Sequence, residues 1–222
     1  MSEKIKLTAK DGVTIGAYCA RPTGKVRGGL VVLQEIFGVN HHIRNVADGF
    51  AKDGYLAIAP ALFDRVAPDM ELGYGPDDMK AGMEIRGRTK LEDSLKDIEA
   101  AVAAASEAGR VGVVGYCWGG TIAYAAATHL AGISAAVCYY GSGIAAMAHE
   151  TLLAPTQFHF GETDKSIPPH DIGKIREAHP DSAIHIYLAG HAFACDERPS
   201  FDEASAKLAR SRTLEFLAHY VD

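Results

Sequence analysis

The chain has 222 residues, of which 48% are hydrophobic, and its formal net charge is −6 at pH 7. This length and apolar share predict a single domain over residues 1–222 with one sizeable core. Because phosphate contacts need concentrated Lys and Arg, and no basic cluster occurs in the chain, nucleic acid is not expected as a partner.

Strands and helices alternate along most of the chain. In chain order the predicted elements are strands at 4–9, 13–20 and 29–35, a helix at 41–52, a strand at 55–59, a long loop at 60–78, a polar helical region at 79–105, a strand at 111–114, a helix at 121–130, strands at 135–140, 157–160 and 183–188, and a helix at 201–220. Asp11-Gly12, between the first two strands, is typical of a tight antiparallel turn. The alternation that follows predicts an α/β fold with a mostly parallel central sheet, helices on both faces and an N-terminal antiparallel hairpin.

The most informative segment is Gly115-Tyr116-Cys117-Trp118-Gly119-Gly120, directly after the apolar run 111–114. A nucleophile on a sharp strand-to-helix turn adopts a strained backbone and needs small residues on both sides, which Gly115 and Gly119 provide. Such a turn lifts Cys117 over the edge of the sheet and points backbone N–H groups at it, which favour a thiolate and later an oxyanion. The alternative is a tight turn that holds a buried free cysteine.

Candidate partners for this nucleophile follow in the order acid, then histidine. Asp164 comes after the predicted strand 157–160, and His191 comes after the predicted strand 183–188. Both are therefore expected in loops at the C-terminal ends of strands, on the edge of the sheet where Cys117 should lie. Taken alone, Asp164 could be an ordinary turn residue, and His191 is one of ten histidines. In this order and context they indicate a catalytic triad.

Glu35 ends the apolar strand 29–35, and a carboxylate in that place requires an explanation. Four motifs occur together: QEIFGVN at 34–40, GYCWGG at 115–120, Asp164 after HFGET, and AGHAF at 189–193. In combination they resemble the dienelactone hydrolase family (carboxymethylenebutenolidases), a branch of the α/β-hydrolases with a cysteine nucleophile. The resemblance extends from about residue 29 to residue 217 and implies an α/β-hydrolase fold.

The resemblance also implies a role for each matching residue. Cys117 matches the nucleophile, His191 the general base, and Asp164 the carboxylate that orients the imidazole. Glu35 matches a glutamate that contacts the resting thiol and takes part in activating it when substrate arrives. These four residues are the expected catalytic group.

The implied mechanism is hydrolysis through a thioester. The backbone N–H groups of Trp118 and Ile36 would form the oxyanion hole, since one follows the nucleophile and the other lies in the loop after the first parallel strand. The thiolate of Cys117 would attack the carbonyl of a lactone or small ester, and water activated by His191 would hydrolyse the thioester. The expected partner is a small-molecule lactone or ester, and the chemistry requires neither a cofactor nor a metal.

Two positions depart from the family pattern, and both concern the substrate. The best-known members hold a substrate carboxylate with two arginines, and the aligned positions in this chain are Cys195 and Met79. The candidate substrate-binding residues near the motifs are Phe37, Arg86, Arg88 and Arg198. An anionic dienelactone as natural substrate therefore depends on one of these arginines replacing the missing ones.

Two other functions stay open. One is a general carboxylesterase or thioesterase without a preference for dienelactones, which the missing arginines favour. The other is a redox-responsive, non-catalytic relative in which Cys117 reacts with oxidants and Cys195, in the loop of His191, is its partner. The remaining cysteines, Cys19 and Cys138, lie in apolar runs and are expected in the core.

Three residues outside the motifs carry expectations of their own. Asn40 is predicted to be the N-cap of the helix at 41–52, with His41 and His42 as residues of the helix start. Tyr140 closes a predicted strand, and we expect it to be buried with its hydroxyl hydrogen-bonded.

The location and assembly of the chain are predicted from what its ends and runs contain. Residues 1–6 include no apolar signal region, and no apolar run approaches the length of a membrane span. We therefore expect a cytoplasmic protein with no membrane partner, present as a monomer or a weak homodimer.

Overall fold

The computed structural model describes residues 1–222, which form eight strands and seven α-helices. The strands are β1 (Ser2–Thr8), β2 (Thr14–Ala20), β3 (Gly28–Leu33), β4 (Tyr55–Pro60), β5 (Val111–Tyr116), β6 (Ile133–Tyr139), β7 (Thr156–Gly161) and β8 (Ala183–Tyr187). The helices are α1 (His41–Lys52), α2 (Pro76–Arg88), α3 (Leu91–Ala105), α4 (Trp118–His129), α5 (Ile144–Met147), α6 (Pro169–Ala178) and α7 (Glu203–Tyr220).

All the strands belong to one sheet with the order β1-β2-β4-β3-β5-β6-β7-β8. β1 pairs antiparallel with β2, and β2 pairs antiparallel with β4, whereas every other neighbouring pair is parallel. The turn between β1 and β2 contains Gly12 at φ 82°, a conformation that favours glycine. The predicted antiparallel hairpin and mostly parallel sheet are therefore both present.

Helices cover the sheet on both faces. Every residue of β3, β4 and β5 is buried, as is typical of parallel strands between two helical layers. The chain passes from β3 to β4 in one direction and from β4 to β5 in the other, so right-handed crossovers put α1 on one face and α3 on the opposite face. α4 packs against α3, while Arg210 of α7 pairs with Asp53 at the end of α1 at 2.6 Å.

The strand order reverses between β3 and β5, and this reversal positions the site. β3 lies between β4 and β5, and the chain leaves β3 and β5 toward opposite faces of the sheet. Such a switch point leaves a crevice at the carboxyl ends of the two strands, where ligands bind in open α/β sheets. Glu35 follows β3 and Cys117 follows β5, so both residues lie at these carboxyl ends.

The predicted helices differ from the structure mainly at their starts. The helical region predicted at 79–105 is two helices, and the first of them begins earlier, at Pro76, because proline suits the first helical position. α4 also begins earlier than predicted, at Trp118, and α6 was not predicted. None of the helices combines the length and the apolar character that crossing a membrane requires.

Candidate active site

Cys117 occupies the sharp turn between β5 and α4. Its φ is 55°, in the left-handed region that side chains other than glycine rarely adopt. A Cβ on Gly115 would collide with the carbonyl of Gly119, and a Cβ on Gly119 would collide with the carbonyl of Leu33. Both glycines are therefore needed for α4 to start this close to the sheet, with the side chain of Cys117 projecting over its edge.

The side chains of Cys117, His191 and Asp164 form a hydrogen-bonded chain. The Nε2 atom of His191 lies 3.2 Å from the Sγ atom of Cys117. On the other side of the ring, Nδ1 lies 2.7 Å from Oδ2 of Asp164, and Oδ1 of this buried carboxylate accepts from the N–H of Ser166 at 2.8 Å. The loops after β7 and β8 bring Asp164 and His191 together because carboxyl ends of parallel strands share one edge of the sheet.

The two hydrogen bonds of His191 determine its protonation. Burial alone would lower the pKa of this imidazole, but the bonds to Asp164 and Cys117 outweigh burial and raise the pKa to about 10. A protonated ring next to the sulfur stabilises a thiolate by direct charge attraction. The carboxylate of Asp164, the imidazole of His191 and the sulfur of Cys117 therefore form one line of hydrogen bonds.

The protonation of His191 is testable by titration. We expect its imidazole to titrate near pH 10 in the wild type, and at lower pH in both Cys117→Ala and Asp164→Asn, because each substitution removes a group that stabilises the imidazolium. Nitrogen-15 NMR of the histidine side chains would follow the titration. Glu162→Gln, a change at a neighbouring exposed carboxylate, is the control and should leave the titration in place. An unchanged titration in both test variants would contradict this account.

A cavity of about 340 Å³ opens onto the sulfur. Its lining residues are Ile36, Phe37, Met79, Met83, Arg86, Cys117, Trp118, Ser142, Ser166, His191 and Arg198. Phe37 and Trp118, which line this cavity, are also part of the core: Phe37 packs edge-on against Tyr74 at 4.6 Å, and Trp118 stacks on Phe63 at 5.1 Å between ring centroids. The walls next to the sulfur are therefore rigid.

The two predicted oxyanion donors belong to this cavity. Trp118 is the first residue of α4, where backbone N–H groups have no acceptor within the helix. Ile36 lies in the loop after β3, and α2 approaches this loop so closely that a Cβ on Gly82 would collide with the carbonyl of Ile36. Both residues line the cavity that contains Cys117, and their role as oxyanion donors stays a prediction.

Comparison with family models identifies the family of this chain. The model of the dienelactone hydrolase family matches residues 15–221. The chain belongs to the dienelactone hydrolase family. It is accordingly a hydrolase, as the resemblance of its four motifs implied.

Curated relatives agree with the family assignment over the full chain. The carboxymethylenebutenolidase of a Pseudomonas species is 36% identical over 230 residues, which cover 98% of this chain and 95% of that protein. Carboxymethylenebutenolidase 1 of Cupriavidus pinatubonensis is 32% identical over 234 residues, covering 100% of this chain and 99% of the relative.

Solved structures confirm the predicted α/β-hydrolase fold. The crystal structure of a provisionally named dienelactone hydrolase from Klebsiella pneumoniae has a TM-score of 0.85 and 31% identity, and the match covers 99% of this chain and 100% of that one. A dienelactone hydrolase-like promiscuous phosphotriesterase from metagenomic libraries has a TM-score of 0.79 at 18% identity, covering 100% of this chain and 99% of its own. The second likeness concerns the fold alone.

Glu35 differs from the expectation that the family resemblance raised. Its carboxylate is buried and accepts a hydrogen bond from the hydroxyl of Tyr74 to Oε2 at 2.9 Å. The other oxygen, Oε1, lies 3.6 Å from Nη1 of Arg198. Glu35 makes no hydrogen bond to Cys117. The hydrogen-bond partner of the sulfur in this structure is His191.

Two of the three candidate arginines reach the cavity, and the third does not. Arg86 and Arg198 line it, whereas Arg88 donates from Nη2 to the carbonyl of Val66 at 3.2 Å. The structure does not place Arg88 at the cavity, because residues two apart on a helix face nearly opposite directions. Met79, by contrast, lies seven residues before Arg86 and on the same helix face. This seven-residue spacing could have identified Arg86, among the three candidate arginines, as the one on the helix face of Met79.

Cys195 and Tyr140 both differ from their sequence interpretation. Cys195 is completely buried and is absent from the cavity lining that contains Cys117. Burial raises the pKa of its thiol to about 12, and the charge of Glu35 acts in the same direction. Tyr140 is buried as expected, but its hydroxyl has no hydrogen-bond partner, and its ring packs against His191 at 5.2 Å between centroids.

Sequence reasoning missed two residues next to Glu35. Tyr74, in the loop before α2, donates a hydrogen bond to the carboxylate. Nothing in the sequence of the long loop predicted at 60–78 indicated this contact. His42, expected to be a residue of the helix start, has a buried side chain. Asn40 is the N-cap, as predicted, and its side chain accepts from the N–H of Ile43. The capping pattern therefore predicted the role of Asn40 but gave no indication that His42 is buried.

Proposed function

We propose that this hydrolase opens a lactone or cleaves a small carboxylic ester through Cys117, His191 and Asp164, with a thioester intermediate. The observation that carries the proposal is the hydrogen-bonded chain from Asp164 through His191 to the sulfur, which faces a cavity lined by two arginines. Nucleophile, base and orienting acid within hydrogen-bond reach of one another are the requirement of covalent acyl transfer.

The first half of the reaction forms the thioester. The sulfur of Cys117, whose proton is already held by His191, attacks the carbonyl carbon of the substrate as a thiolate. The carbonyl oxygen becomes an oxyanion that accepts from the N–H groups of Trp118 and Ile36, each worth roughly 2.7–4 kcal/mol of barrier in comparable sites. When the carbonyl re-forms, the ring C–O bond breaks, and the proton held by His191 is available to the departing oxygen.

The second half returns the enzyme to its starting state. Water gives a proton to His191 and adds to the thioester carbon, and collapse of this adduct expels the sulfur of Cys117 and leaves a free carboxylic acid. His191 keeps the proton that water supplied, and Cys117 is again a thiolate beside it. Throughout, Asp164 accepts from Nδ1 of His191, fixing the tautomer and stabilising the imidazolium.

The substrate class we propose carries a carboxylate, as a dienelactone does. Arg86 and Arg198 line the cavity with the sulfur and supply the positive charge that Cys195 and Met79 lack. Arg198 also lies 3.6 Å from Glu35, so a substrate carboxylate at Arg198 would compete with Glu35 for the guanidinium. This competition supports a role for Glu35 in activating the thiol when substrate arrives.

The substrate class is tested with Arg86→Met. For a dienelactone carboxylate, we expect kcat/KM to fall by about 10–100-fold, the range for a lost hydrogen bond to a charged group. For a neutral aryl ester the change should be small. Arg88→Met is the matched control, because this arginine is on the same helix but bonds outside the cavity. Equal losses on both substrates, or a wild type that cleaves only the neutral ester, would indicate a general carboxylesterase instead.

A further inference from the structure

Three metal-ligating side chains form a buried cluster beside the catalytic cavity. Glu35, His42 and Cys195 each offer one ligand atom, and these atoms lie within 4.8 Å of one another. Their exposed fractions are 0%, 3% and 0%. None of the three lines the cavity that contains Cys117, so the cluster is separate from the space that a substrate would occupy.

The hydrogen bonding of His42 directs a lone pair into the cluster. Its Nδ1 lies 3.1 Å from Oδ1 of Asp196, and because a carboxylate only accepts, Nδ1 carries the proton of the neutral ring. Nε2 is then an acceptor, and it is buried without a hydrogen-bond partner. A carboxylate that fixes the tautomer in this way accompanies most metal-ligating histidines.

Glu35 presents a second unsatisfied acceptor to the same space. Tyr74 donates to its Oε2, whereas Oε1 is buried and forms no hydrogen bond; Nη1 of Arg198 is 3.6 Å away, beyond hydrogen-bond length. Lone pairs of nitrogen and oxygen therefore face the same space as the sulfur of Cys195. Because buried unpaired acceptors are costly, a cation bound between these atoms would stabilise the cluster.

We propose that Glu35, His42 and Cys195 bind one divalent transition-metal cation of the Zn²⁺ class. Nitrogen, carboxylate oxygen and thiolate sulfur together are a donor set that zinc prefers. On binding, the Cys195 thiol releases its proton to solvent, and the thiolate and carboxylate charges then balance the ion. Ligand bonds of about 2.0–2.3 Å place ligand atoms roughly 3.5 Å apart, so the side chains need to close by about 1 Å.

Binding at this cluster has a consequence for catalysis that rests on the proposed function. An ion that holds Oε1 of Glu35 removes this carboxylate from Arg198 and from the activation of Cys117. Hydrolysis of a lactone should therefore slow in proportion to the fraction of chains that bind the metal. The site would act as an inhibitory metal switch.

The test is a titration of the chelator-treated protein with Co²⁺, followed by absorption. We expect thiolate-to-Co²⁺ charge-transfer absorption with a stoichiometry of one ion per chain, and competition by Zn²⁺. Cys195→Ser should abolish the charge-transfer absorption. Asp196→Ala should weaken binding by about 10–100-fold, the usual cost of losing the residue that orients a ligand. Because Asp196 is exposed, this variant should fold normally.

Two controls separate the cluster from other thiols. Cys117→Ala removes the sulfur next to His191 and should keep the absorption, and Cys19→Ser, a change at another buried cysteine, should keep it as well. No charge-transfer absorption in the wild type, its persistence in Cys195→Ser, or its loss in Cys117→Ala would overturn the proposal. If the ion binds as expected and hydrolysis does not slow, the metal site stands and the proposed role of Glu35 fails.

Discussion

Cys117→Ala is expected to lower kcat/KM for lactone hydrolysis by at least about a thousandfold, the scale on which loss of a catalytic nucleophile acts. The substitution removes the atom that forms the thioester and leaves the oxyanion donors Trp118 and Ile36 in place. Steady-state hydrolysis of a dienelactone carboxylate measures the loss. In parallel, the intact mass of acid-quenched wild type should increase by the mass of the acyl group, with the addition at Cys117.

The control for this substitution is Cys19→Ala, which removes a buried thiol from β2, outside the site. It should keep near-wild-type turnover and show no loss of the acyl adduct. Circular dichroism spectra of both variants should match the wild type. Turnover retained by Cys117→Ala, or an acyl adduct at another residue, would show that the sulfur is not the nucleophile.

Asp164→Asn is expected to lower kcat by about 10³–10⁴-fold, as replacing the orienting acid of a triad does. The amide nitrogen of asparagine would donate where Oδ2 of Asp164 accepts from Nδ1 of His191 at 2.7 Å. The ring would then carry its proton on Nε2, pointing at the sulfur, and could not accept the thiol proton. The KM for the lactone should change little, because Asp164 does not line the cavity.

Glu162→Gln is the matched control for Asp164→Asn. It neutralises an exposed carboxylate in the same loop after β7, and its turnover should be close to that of the wild type. The comparison separates loss of the specific hydrogen bond from loss of negative charge near the site. Equal defects in the two variants would assign the effect to long-range charge and would remove Asp164 from the proposed mechanism.

The parts of the site that the sequence predicted share one physical property. Cys117 directly follows a strand of the parallel sheet, and Asp164 and His191 lie in the loops just after two others, so the spacing of strands along the chain determines where these residues lie. Apolar runs identify the strands, and a sheet of this kind brings their carboxyl ends to a common edge. The fold and the proximity of the three residues could therefore be predicted without a structure.

The surroundings of Glu35 could not be predicted in this way. Tyr74 lies in an irregular loop, and the direction of Arg198 depends on how the loop after His191 folds. His42 is buried because α1 packs against the sheet with that side inward, which a cap motif does not reveal. Contacts between loops and helix faces depend on packing angles rather than on the spacing of apolar residues, and so sequence patterns do not specify them.

Helix α2 contributes side chains to the cavity but none of the residues of the proposed triad. It buries only Gly82 and Ile85, while Met79, Met83 and Arg86 on one of its faces line the cavity. The proposed triad, by contrast, depends on turns at the sheet edge that α2 does not form. Side chains on this face can therefore change during evolution, or in a mutant library, without disturbing the acyl-transfer machinery, whereas Gly82 must stay fixed because it seats the helix against Ile36. Variants with an altered substrate range should accordingly be sought first by substitution of Met79, Met83 and Arg86.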